Sequence, residues 1–164
     1  MTGWRSLNDY ERKIIANVSN FGCHINQVFD SEGEDPGFAY SVGFAQSVGQ
    51  PEVIVFGLGD LMGGIINDCL SLCREGLELR DGVDVYGLID GHRCVGRAVH
   101  PSRIEIDYLN SAIWFHKTQL KRDLESVVQL VWPDASNGLL PWEEGCGQLA
   151  IASQPALYEP RVEC

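Results

Sequence analysis

The stretch from Phe38 to Gly76 constrains this chain more than any other. Phe38, Tyr40, Val42 and Phe44 alternate with Ala39, Ser41 and Gly43. That is the period-two pattern of a strand with one bulky face and one small face. A small-residue face lets a ligand or another backbone come close. After a Gly/Pro turn, Val53 to Leu58 is continuously apolar, as in a strand covered on both sides. Asp60 then stands where a cap is wanted for a helix predicted over Leu61 to Glu75, closed by Gly76. Leu61, Met62, Ile65, Ile66, Cys69 and Cys73 form its apolar stripe.

The flanks extend the same alternation of helix and strand. Leu7, Tyr10, Ile14, Ile15 and Val18 recur at helical spacing, which predicts a first helix over Ser6 to Asn20, with Ser6 and Asp9 as a capping box and Gly22 as its stop. Cys23 to Phe29 reads as an imperfect strand, and Asp30 to Gly37 as an acidic loop. Val83–Ile89 and Arg93–Val99 form a hairpin around Asp90-Gly91. Pro101 and Ser102 open a third helix through Phe115, Val127 to Trp132 is a last strand, and turns with a loosely structured tail follow Asp134. This order predicts an α+β fold: a mainly antiparallel sheet or partly closed barrel flanked by about three helices. The 164 residues suit a single domain.

Composition narrows the function classes. A chain that is 45% hydrophobic and 21% charged is expected to be globular and soluble. No apolar run reaches the length of a membrane span, and Met1 to Tyr10 lacks a basic-then-apolar leader pattern, so the expected place is the cytoplasm, with no membrane partner. There the six cysteines are expected to be reduced thiols, with Cys69, Cys73 and Cys94 as core residues and Cys164 exposed. A net charge of −11 repels phosphate backbones, and Lys117 to Arg122 is too short a basic run to offset it, so no nucleic-acid partner is expected. The acidity serves solubility, or fits a basic protein partner of the kind that an immunity-type protein neutralises.

Most catalytic motifs are missing. Cys69 and Cys73, with His24 and His92, are the only sensible metal ligands, and their spacing matches no zinc knuckle, so no metal is expected. Ser41 is followed by what reads as more strand and not by a strand-to-helix elbow. Gly57-Leu58-Gly59-Asp60 lacks the third glycine of a dinucleotide fingerprint and puts an acid at the helix entrance. Cys146, between two glycines, reads as a turn residue.

Gly37-Phe38-x-Tyr40-Ser41-x-Gly43, Pro51-Glu52 with its apolar strand, and Gln129-Leu130-x-Trp132-Pro133-Asp134 with Pro141-Trp142 are shared with a known family. On these pieces the chain, from about Gly22 to Trp142, resembles the bacterial domain-of-unknown-function family 4262. The resemblance implies a small bacterial protein without an assigned activity and carries over no catalytic residue. A looser similarity in element order to flavin-binding split barrels implies flavin as a cofactor.

The residues themselves suggest a small-molecule site. Tyr40, Ser41, Gln129 and Trp132 are candidate ligand-binding groups at strand ends. Glu52 and Asp134 are candidate general bases. A structural reading stands beside this one: core aromatics with satisfied polar atoms, and acids that hold turn N–H groups. Whether the protein is an enzyme stays open at this point.

Overall fold

The computed structural model describes residues 6–30, 32–33 and 35–161. Cys164, expected to be exposed, lies outside them. Among them six strands, β1 (His24–Val28), β2 (Phe38–Val42), β3 (Glu52–Phe56), β4 (Val83–Ile89), β5 (His92–Ala98) and β6 (Val127–Val131), form one sheet in the order β1-β2-β3-β6-β5-β4. Every neighbouring pair is antiparallel except β3 and β6, which run parallel with Glu52 opposite Val127. The α+β expectation holds. The sheet stays open, with β1 and β4 as its edges, so the barrel alternative does not. Among the described residues five helices accompany it, in place of about three: α1 (Asp9–Phe21), α2 (Phe44–Val48), α3 (Leu61–Arg74), α4 (Ile106–Phe115) and α5 (Gln148–Ala152). Among the described residues no helix is long and apolar enough to cross a membrane.

The sheet is covered on both faces. Met62, Ile66 and Cys69 of α3 pack on Ala39, Val53, Val55, Val128 and Leu130. Ile14 and Val18 of α1, with Leu109, Ala112 and Phe115 of α4, pack on Phe38, Tyr40, Val42, Ile54 and Phe56. The small face of β2 therefore receives α3 and is not left open for a ligand.

Several local expectations shift for identifiable reasons. In α1 the cap is Asn8, not Ser6: its Oδ1 accepts the Glu11 N–H at 2.7 Å while Glu11 Oε1 accepts the Asn8 N–H at 3.0 Å. Glutamate at the third helical position completes a box that Ser6 and Asp9 do not form. Asp60 makes no side-chain cap; the chain is already turned there, with Leu61 N–H on Leu58 O and Met62 N–H on Gly59 O. The third helix is broken after a 3-10 turn at Pro101–Arg103 and restarts at Ile106.

Two differences matter for function. β2 stops at Val42, and Gly43 turns the chain into α2 with φ of +111°. A Cβ at Gly43 would lie 2.7 Å from a methyl of Val18, so only glycine permits this corner. Ser41 thus does precede a strand-to-helix turn, contrary to the sequence reading. The segment after Asp134 is also tied down. Gln154 donates to Trp132 O and accepts from Trp132 N–H, both at 2.9 Å. Gln129 donates to Pro155 O at 2.8 Å and accepts from Leu157 N–H at 3.0 Å, and Leu157 is fully buried. Two glutamines act in place of a seventh strand.

Candidate functional site

Glu52 opens β3 and is wholly enclosed. Its Oε1 accepts from Ser41 Oγ at 2.7 Å and Phe44 N–H at 3.0 Å; its Oε2 accepts from Gly43 N–H at 2.9 Å and His116 Nε2 at 2.9 Å. Ser41 Oγ in turn accepts the Val53 N–H at 2.9 Å. The corner at Gly43 aims two successive backbone N–H groups at the carboxylate, which is how a charge survives out of water.

His116 follows the last residue of α4 and starts a wide turn of π type that ends at Lys121 with φ of +58°. It is 5% exposed. It also lines a cavity of about 430 Å³, with Ala45 of α2 and the turn Gly49, Gln50 and Pro51 on one side and residues 122–126 on the other. Nε2 is held by Glu52, and Nδ1 has no hydrogen-bond partner among the described residues. A ring nitrogen fixed from behind by a carboxylate, with its other nitrogen unpaired beside a cleft, is an arrangement able to move a proton.

The structure brings together Ser41 and Glu52 and adds His116. The other four residues singled out in the sequence go elsewhere. Tyr40 lies on the α1/α4 side of the sheet, its hydroxyl accepting from Asn26 Nδ2 and Ser111 N–H. Gln129 and Trp132 hold the C-terminal segment, and the Trp132 indole N–H donates to Phe56 O at 2.7 Å. Asp134 accepts from Ser136 N–H, Ser136 Oγ and Gly147 N–H, and these bonds, Ser136 N–H first, hold its carboxyl below the usual range. Trp142 stacks on Arg97, which Tyr158 also faces.

His116 was not among the residues picked from the sequence. Its signal was there in one form: it stands four residues after Ala112 and seven after Leu109, a polar group that continues the apolar stripe of α4 one residue past its end. Among the described residues no three of His, Cys, Asp and Glu gather as metal ligands would. Cys69 and Cys73 lie in the core. Burial pushes the Cys23 thiol up to about 11, with the Glu52 carboxylate adding to the rise, and pushes Cys94 up to about 12. The cleft suits a flavin poorly. Among the described lining residues His116 is the one aromatic ring, and Asp123 and Glu125 line the same wall as Arg122, where a phosphate would need cations.

A family model described as "Domain of unknown function (DUF4262)" matches residues 17–147. Comparison with curated proteins and with solved structures finds no match.

Proposed function

The chain belongs to the DUF4262 family, and from the geometry above we propose that it binds a small polar molecule in the cleft beside His116 and exchanges a proton with it there. The observation that carries this reading is the Glu52–His116 pair. Bonds from Ser41, Gly43 and Phe44 alone would satisfy a carboxylate that served only to hold the β2–α2 corner. The fourth bond reaches an imidazole from a distant helix, and that imidazole borders a cavity of about 430 Å³.

The division of labour follows from burial. Glu52 is enclosed and cannot touch a ligand. It fixes the ring of His116 and would stabilise the imidazolium formed when Nδ1 takes a proton. Ser41 is equally enclosed, so its hydroxyl positions Glu52 and does not act as a nucleophile. Arg122, Asp123 and Glu125, all on the 122–126 side of the cavity, offer both charge signs to a polar ligand.

Native mass spectrometry tests this on full-length protein incubated with the small-molecule fraction of a cell lysate. Wild type is expected to retain a stoichiometric adduct that His116→Gln loses and Asp134→Asn keeps. An adduct held equally by His116→Gln, or none on the wild type, would overturn the reading.

A further inference from the structure

On the α1/α4 side of the sheet, four elements meet in one polar network. Asn26 of β1 donates through Nδ2 to Tyr40 Oη at 2.7 Å and to Ser111 Oγ at 2.8 Å. Its Oδ1 accepts from the Tyr10 hydroxyl at 2.8 Å and pairs with His24 Nε2 at 3.0 Å. The Ser111 N–H also donates to Tyr40 Oη, at 3.0 Å.

Assigning the hydrogens one by one leaves a remainder. Both amide hydrogens of Asn26 are used. The Tyr10 hydrogen goes to Asn26, so the 2.8 Å contact between Tyr10 and Ser111 hydroxyls is donated by Ser111. Tyr40 accepts twice, and its own hydroxyl hydrogen has no acceptor among the described residues. Tyr40 is only 2% exposed. A buried donor without a partner is costly, and native proteins rarely leave one without cause.

Tyr40 also lines a cavity of about 190 Å³, whose walls include Phe38, Ile106 and Tyr108. The Phe38 and Tyr108 rings stand edge to face, with centroids 5.3 Å apart. A neighbouring cavity of about 290 Å³ shares Tyr10, Asn110 and Ser111 with the first. It is lined by Trp114, whose buried indole N–H likewise has no partner. Two unused donors thus border adjoining cavities with aromatic walls.

We propose that the cavity at Tyr40 is a second binding site, separate from the His116 cleft, for a small neutral aromatic molecule carrying one acceptor oxygen. The Tyr40 hydroxyl donates to that oxygen, and Phe38 and Tyr108 pack against the ring. The volume lies below the roughly 300–1,000 Å³ of sites that take drug-sized molecules, so the ligand is small. Asp107 on the wall disfavours an anion.

The test is a nuclear magnetic resonance titration of the full chain with two probes of matching shape, acetophenone and ethylbenzene. Acetophenone is expected to shift the Ser111 amide and Asn26 side-chain amide signals saturably. Ethylbenzene, which lacks the oxygen, is expected to bind about tenfold more weakly. Tyr40→Phe should bind both equally weakly. If acetophenone produces no saturable shift at these signals, the cavity holds water only and the proposal fails. It fails equally if wild-type protein binds the two probes alike, a result that needs no variant to fold.

Discussion

Glu52 and Asp134 stand at opposite ends of the parallel pair β3–β6, one opening β3 and the other three residues past the end of β6. Each collects several hydrogen bonds: four at Glu52 and three at Asp134. What separates them is where the donors come from. Those of Asp134 lie within its own loop and the turn it meets, at Ser136 and Gly147. Those of Glu52 come from β2, the Gly43 corner and the end of α4. The first carboxylate pins a partly exposed loop; the second joins three elements in the interior and stands behind a histidine at a cleft. A count of hydrogen bonds does not tell the two apart, but the separation of the donors along the chain does.

The comparison can be broken by substitution. The largest effect is expected for Glu52→Ala, which strands four donors in the interior and should lower the unfolding free energy by about 3–5 kcal/mol in urea titrations. If this variant costs no more than Asp134→Ala, the two ends are equivalent and the contrast is false. Trp132→Ala, at the Asp134 end, should cost about 3 kcal/mol through lost packing and the unpaired Phe56 carbonyl. Glu52→Gln keeps an acceptor for Ser41 and Phe44 but turns an amide toward Gly43 N–H and His116, at a cost of about 1–3 kcal/mol. A neutral outcome there would mean that the corner rearranges around an amide.

Acid sharpens the contrast further. Burial holds the His24 pKa below its ordinary 6.5. The unfolded chain therefore binds the extra proton first, and stability is complete above that value and declines as pH falls below it. Urea midpoints measured from about pH 8 to pH 5 should show this decline in wild type and less of it in His24→Gln. At Asp134 the pKa is depressed from 3.8, so its contribution is present above that value and is lost as pH falls through the lower, folded one. Asp134→Asn should remove only this shallow acid component, the smallest effect of the series.

The parts of the fold carried by local pattern were readable in the sequence. The stripe of α3, the continuous apolar run of β3 and the Asp90-Gly91 hairpin all rest on neighbours within a few residues, and all are present, except that Leu61, counted in the stripe, is exposed at the start of α3. What depended on distant partners was hidden. The corner at Gly43 is required by Val18 on another helix. The pairing of β3 with β6 joins segments separated by α3, the hairpin and α4, which no periodicity encodes. The same holds for the site: Ser41 and Glu52 could be picked out as polar residues beside buried strands, whereas His116 lies 64 positions from Glu52 along the chain. The hold of Gln129 and Gln154 on the C-terminal segment was hidden for the same reason.

The central claim is that His116 presents a free nitrogen to the cleft, and mapping its reaction with diethyl pyrocarbonate tests that most directly. His24 is the natural control, because it is buried to a similar degree and both its nitrogens are engaged, by Asn17 and Asn26. The account predicts that His116 is carbethoxylated in folded protein while His24 is spared. Protection of His116 to the same extent as His24 would contradict it, and would leave Glu52 and His116 as a structural pair alone.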